Sequence, residues 1–183
     1  DADIYGPSQT TILGAQDSKP PMTQNNMIIP LEAHGIKFIS MGVLTDPNAP
    51  VIWRAPMVTK ALGQFLNADW GELDYLLIDL PPGTGDIQIT LAQQASLTGA
   101  IIVTTPQQVA VGIAKKGLLM FQQVNIPIIG VIENMSGFTC ESCGHLTKMF
   151  KEGGGEGLAK EFDVPDLPVS GAIAPAKGIH IGK

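Results

Sequence analysis

The chain has 183 residues, room for one domain of ordinary size; 44% of it is apolar against 15% charged, which excludes a disordered or purely solvating segment. Lys and Arg number 11 against 17 Asp and Glu, a net charge of −6 without basic runs, which speaks against binding to nucleic acid or to an anionic membrane surface. No apolar stretch approaches the roughly 18 residues that suggest a membrane span.

The chain opens on Asp1-Ala2-Asp3 without an initiator Met, so its native start is expected upstream. Two alternating acids followed by Gly6-Pro7-Ser8 fit a strand end running into a loop. One acid can orient water or bind Mg²⁺ through water; the plainer reading is a solvated turn with Ser8 capping a helix. Ile36–Ser40 predicts a strand. Pro56 in a first turn, then Val58, Ala61, Leu62, Phe65 and Leu66 at helical spacing, predicts a helix. Trp53 and Trp70 read as packing residues, His34 and His180 as surface residues. Asp74–Asp79 is a short apolar run ending in an acid and predicts a buried strand. Asp86 stands where it can cap a helix with Ile87, Leu91 and Ala95 on one face. Gly99–Thr104 and Ile126–Ile132 predict two more buried strands. Between them Pro106 opens a helix with Val109, Ile113, Phe121 and Val124 inward. Lys115 and Lys116 read as its solvated face, and Met120 and Met135 as core fillers. Leu158–Phe162 predicts a short late helix.

Apolar strands alternating with helices predict an α/β fold, a mostly parallel sheet with helices on both faces. Ligands of such sheets collect at the carboxyl ends of strands, where Asp79, Thr104-Thr105 and Glu133-Asn134 fall.

The sharpest motif is Leu77-Ile-Asp79-Leu-Pro-Pro-Gly83-Thr-Gly-Asp86. An acid at a strand end can hold Mg²⁺, and a glycine four residues later can bring its N–H to a phosphate. This is the D-x-x-G spacing of a nucleotide-hydrolase switch; the bland alternative is a Pro/Gly-rich turn. Asn134 can read a nucleotide base through its amide, or simply end a strand in a turn. Cys140 and Cys143 are the two cysteines of the chain and form a C-x-x-C. They can be two idle thiols or a local disulfide, or two thiolates offered to one metal site. Two thiolates are half of a tetrahedral zinc site or a cluster site. A symmetric dimer can supply the other half, or His145 a third ligand. A redox-active pair is disfavoured, because no helix starts after the first Cys to lower its pKa. Gly153–Lys160 looks like a phosphate loop but has Leu158 and Ala159 where Lys and Ser/Thr belong, and no G-x-x-x-x-G-K-[ST] occurs in the 183 residues.

Together these motifs resemble the Mrp/ApbC family of P-loop ATPases, relatives of MinD and the nitrogenase iron protein. The matching segments are Asp1–Ser8, Val51–Met57, Trp70–Tyr75, Asp79–Asp86, Thr104–Gln107, Ile132–Ser136 and Cys140–Gly144, in family order. The resemblance implies a MinD-like P-loop NTPase fold, one domain over 1–183 lacking its N-terminal phosphate-loop segment. It implies ATP and Mg²⁺ as cofactors, with Asp1 and Asp3 as the switch I acids that assist Mg²⁺ and the attacking water. Asp79 matches the acid that holds Mg²⁺, Gly83 the switch II glycine, and Asn134 the adenine-reading position. Cys140 and Cys143 match the pair that holds a [4Fe–4S] cluster between two subunits. The implied function is an ATP-dependent cluster carrier, a cytoplasmic homodimer that hands its cluster to apo iron–sulfur proteins. The rival readings are a non-catalytic dimeric metal-binding module and a MinD-like positioning ATPase. Two further departures from the family are Ile113, where relatives commonly carry Asp, and the divergent end Ala174–Lys183.

Overall fold

The computed structural model describes residues 1–16, 18–44, 53–140, 142–147, 153–167 and 172–173. His180, the end Ala174–Lys183 and part of Val51–Met57 lie outside them. The chain divides into two units, Asp1–Pro81 with Gly85–Ser96, and Pro82–Thr84 with Leu97–Lys183.

In the first unit Ser8 stands at the N-cap of a short helix, α1 (Gln9–Ile12), but its side chain makes no capping bond. Strands β1 (Leu31–Ala33) and β2 (Ile36–Phe38) pair antiparallel, Leu31 opposite Phe38. His34 and Gly35 close the hairpin at φ 51° and 76°. Two positive φ values give the turn whose twist matches that of the flanking strands. The strand predicted at Ile36–Ser40 is therefore a local hairpin partner that ends at Phe38.

Helix α2 (Ala55–Leu66) has Pro56 in its first turn and buries Val58, Ala61, Leu62 and Phe65, as the spacing predicts. At its end Asn67 Nδ2 donates to the Gly63 carbonyl at 2.8 Å and Trp70 Nε1 to the Phe65 carbonyl at 2.8 Å. These side-chain donors add to the main-chain bonds that the same carbonyls accept from Asn67 N and Ala68 N, and reinforce the end of the helix. Trp53 and Trp70 pack against the core of this unit. Helix α3 (Asp86–Gln94) packs on α2 and buries Ile87 and Leu91. Its cap is Gly85, not Asp86; Asp86 is the first residue inside, where its charge suits the positive end of the helix.

Asp74–Asp79 forms no strand. A strand needs a hydrogen-bonded neighbour. Among the described residues, the main-chain bond this segment makes is the one its last carbonyl, Asp79 O, accepts from Ala2 N at 2.8 Å. Tyr75 and Leu77 are 85% and 84% exposed. Apolar composition alone supplied no ladder.

The second unit is built on a β-α-β crossover. Strands β3 (Ala100–Thr104) and β4 (Ile128–Glu133) run parallel, Ile102 opposite Val131 and Thr104 opposite Glu133. Helix α4 (Gln108–Gln123) joins them and packs on both. Alternation buries Ile102 and Thr104 and exposes Ile101 and Val103. The α4 core residues are Leu118, Met120 and Phe121. Val109 and Ile113, expected inward, are exposed, because the buried face lies in the C-terminal half of the helix. Leu118 and Val131 are fully buried, and burying each is worth about 1.5–3 kcal/mol. Strand β5 (Gly137–Thr139) pairs antiparallel with β6 (Leu146–Thr147) and parallel with β7 (Ala172–Ile173). Met135, expected in the core, is exposed in the turn before β5.

Helix α5 (Gly154–Phe162) packs on β4 and α4. It begins four residues before the predicted stretch and absorbs the glycine run. Lys115 is not a plain solvated residue: its Nζ pairs with Glu161 Oε1 at 2.5 Å and lies 5.6 Å from the centre of the Phe162 ring, tying α4 to α5. A Cβ at Gly155 would stand 2.7 Å from Glu133 Cβ. Gly155→Ala gains up to about 1 kcal/mol of helix propensity. It loses about 1–3 kcal/mol to the clash, because Glu133 Cβ is tethered to a strand and cannot swing aside. The variant is expected to be destabilised on balance, read as a lower urea midpoint at unchanged slope.

Candidate functional site

The first residues of the chain bring distant segments together. The Asp1 nitrogen donates to the Ile39 carbonyl at 2.7 Å, Met41 N to the Asp1 carbonyl at 3.1 Å, and Ala2 N to the Asp79 carbonyl at 2.8 Å. Ser40 and Asp79 thereby flank Asp1. The Asp1 carboxylate is engaged on both oxygens: Oδ2 accepts from Ser40 Oγ at 2.7 Å and from Gln9 N at 3.2 Å, and Oδ1 from Asp3 N at 3.2 Å. Asp3 Oδ1 accepts from Tyr5 N at 2.9 Å and Gly6 N at 3.0 Å, which closes the turn after it. Asp79 is exposed, and its Oδ2 accepts from Gln9 Nε2 at 2.8 Å. Its other oxygen has no hydrogen bond among the described residues. Of the three acids, Asp79 has the most donor capacity left for a cation; an exposed carboxylate oxygen is the hard donor that Mg²⁺ takes.

Gln9 and Ser40 were not singled out from sequence. Gln9 reaches Asp1 with its backbone and Asp79 with its side chain, a bridge across 70 residues of chain that no local pattern announces.

The loop after Asp79 is held at its far end by Gln88. This side chain is buried; its Oε1 accepts from Gly85 N at 2.9 Å and its Nε2 donates to the Pro81 carbonyl at 2.9 Å. A glutamine three residues into a helix, reaching back to the N–H of the cap residue, is one half of a capping box; Gly85 has no side chain to supply the other half. Gly83 has φ 99°, a conformation that favours glycine.

In the second unit Asn134 directly follows β4. Its N–H donates to the Thr104 carbonyl at 2.8 Å, and its Oδ1 accepts from Met135 N at 2.8 Å. The side chain is exposed, and its Nδ2 makes no hydrogen bond among the described residues.

Cys140 and Cys143 lie on the turn that joins β5 to β6. Cys140 N donates to the His145 carbonyl at 2.9 Å and Gly144 N to the Cys140 carbonyl at 2.8 Å. Both thiols are free; Cys140 is half-buried and Cys143 exposed. The backbone N–H groups of Cys143 and then Ser142 point at the Cys140 sulfur and hold that thiol below its ordinary pKa. The sequence-based objection to an activated Cys140 was the lack of a following helix. The turn's own N–H groups supply the stabilisation instead. Among the described residues no third His, Cys, Asp or Glu completes a metal site with the pair.

The fold class is that of an α/β P-loop NTPase, as comparison with known proteins shows. A nucleotide-binding protein of Archaeoglobus fulgidus, solved in complex with ADP, aligns with a TM-score of 0.75 and 35% identity over 92% of this chain and 67% of its own. The chain belongs to the family described as ParA: NUBPL iron-transfer P-loop NTPase, which matches residues 1–176. It is 52% identical over 169 residues to an iron-sulfur cluster carrier protein of Pseudomonas fragi, covering 91% of this chain and 59% of that protein. The carrier of Escherichia coli K12 is 50% identical over 164 residues, 88% of this chain and 44% of its own length. An Arabidopsis thaliana iron-sulfur protein required for NADH dehydrogenase, mitochondrial, is 46% identical over 163 residues, 88% of this chain and 52% of its own. The chain spans about half the length of these curated relatives. No described helix is long and apolar enough to cross a membrane.

Proposed function

We propose that the chain is one nucleotide-binding domain of an ATP-dependent iron–sulfur cluster carrier that works as a cytoplasmic homodimer. The observation that carries this reading is the hairpin turn presenting two free thiols, Cys140 with its pKa lowered, in a chain of iron-transfer P-loop NTPase type. The cluster is cargo. It takes four cysteines, so two chains would each contribute Cys140 and Cys143 across a two-fold axis. Recipients would be apo iron–sulfur proteins.

We infer the roles of the nucleotide-site residues from the family resemblance of their motifs. Asp79 would hold Mg²⁺ through its less engaged oxygen; when bound, that ion would neutralise charge building on the phosphates. Gly83 would offer its N–H to the γ-phosphate. Asp1 and Asp3 would orient the attacking water, Asp3 through the oxygen that does not close its own turn. Asn134 would read adenine. Loss of the γ-phosphate would release the Asp79–Asp86 loop, the order change by which nucleotide hydrolases signal.

The test is anaerobic purification followed by iron and sulfide analysis and a transfer assay to an apo-ferredoxin. The expected result is one [4Fe–4S] cluster per two chains, with transfer altered by ATP. Zinc in place of iron, with no ATP binding, would instead support a dimeric metal-binding module and overturn the carrier reading.

A further inference from the structure

The glycine run Gly153–Gly157, which looks like a phosphate loop in the sequence, meets an anion from its own chain. Gly155 N, at the start of α5, donates to Glu133 Oε2 at 2.6 Å, and Ser136 Oγ donates to Glu133 Oε1 at 2.9 Å. A carboxylate at a helix N-terminus is favoured both by the unpaired N–H groups and by the macrodipole. The approach is close because Gly155 has no Cβ to meet Glu133.

This clamp brackets Asn134. On one side Glu133 is fixed by its ladder place opposite Thr104 and by α5. On the other, Ser136 is tied back to the Glu133 carboxylate. Between them Met135 adopts φ 59°, unfavourable for a residue with a side chain, and its N–H engages Asn134 Oδ1. That bond orients the carboxamide. It leaves Nδ2 free to donate to a ring nitrogen and a second lone pair on Oδ1 to accept from an exocyclic amine. This donor–acceptor pair matches adenine and mismatches guanine.

We propose that Glu133 is a positioning residue for base selection, holding Asn134 in the orientation that distinguishes adenine from guanine nucleotides. The proposal rests on the reading of Asn134 given above.

Competitive titration of ATP against GTP tests it on the purified protein and its variants. Glu133→Ala is expected to lower the preference for ATP about tenfold, the loss of one well-made hydrogen bond, and to match Asn134→Ala. Glu133→Gln retains an acceptor for Gly155 N and is expected to stay within about twofold of the parent, a rescue that general loss of stability would not give. Should Glu133→Ala fail to fold, Ser136→Ala decides, with an expected fall of about threefold from loosening one arm; an unchanged preference would overturn the proposal. If Asn134→Ala loses the preference while Glu133→Ala keeps it, the positioning role falls alone. If the parent shows no preference, or Asn134→Ala retains it, the reading of Asn134 falls and the role of Glu133 with it.

Discussion

Asp79→Asn is expected to lower ATP hydrolysis by on the order of a hundredfold or more, with the protein folded and still able to bind nucleotide. The substitution is chosen from the geometry. Asn keeps an oxygen that can accept from Gln9 Nε2, and the Asp79 main-chain carbonyl still accepts from Ala2 N, so the contacts that seat the residue survive. What disappears is the negative charge. If Asp79 holds the ion that neutralises the phosphates, rate is lost at the chemical step rather than in nucleotide affinity. Steady-state hydrolysis and nucleotide titration, read together, make the check. Hydrolysis within about twofold of the parent would remove Asp79 from the machinery. Asp1 is a different case, because both of its oxygens already serve Ser40, Gln9 and Asp3. Its replacement disturbs structure and chemistry together and is the less informative experiment.

Cys140→Ala and Cys143→Ala are each expected to abolish cluster retention, bringing iron and sulfide to background after anaerobic purification. The hairpin that carries them should persist. Its bonds, Cys140 N to His145 O and Gly144 N to Cys140 O, are main-chain to main-chain and indifferent to the side chain. Cys143 is exposed, so its replacement should change stability by no more than about 0.5 kcal/mol. The result is thus a clean loss of cargo with an unchanged circular dichroism spectrum. Full iron and sulfide in both variants would end the assignment of the pair as cluster ligands. Loss in one variant alone would place the other cysteine outside the ligand set.

The elements that sequence identified well are those whose signals lie within a few residues of one another. Pro56 and the spacing of Val58, Ala61, Leu62 and Phe65 define α2. The apolar runs around Ile102 and Val131 define β3 and β4, the parallel pair. The C-x-x-C spacing places both thiols on one turn. The resemblance carried by these motifs led to the family, which the comparisons bear out.

Pairing partners and burial on the far side of a helix are not local properties, and there the sequence reading went astray. Asp74–Asp79 has the composition of a buried strand but no ladder beside it among the described residues. Val109 and Ile113 fit an apolar helical period yet stay exposed, because the packing surface takes the other end of α4. Asp86 has the chemistry of a cap, but the helix starts one residue earlier at Gly85.

The sequence by itself determined the α/β class, the loop after Asp79, the Asn134 strand end and the cysteine turn, since each is written in residues adjacent along the chain. Only the tertiary structure decided that Gln9 joins Asp1 to Asp79, that Ser40 reaches Asp1, and that Glu133 meets Gly155. Those contacts follow from which segments the folded backbone brings within hydrogen-bond reach, and hydrogen bonds require distances near 3 Å that no spacing along the chain encodes.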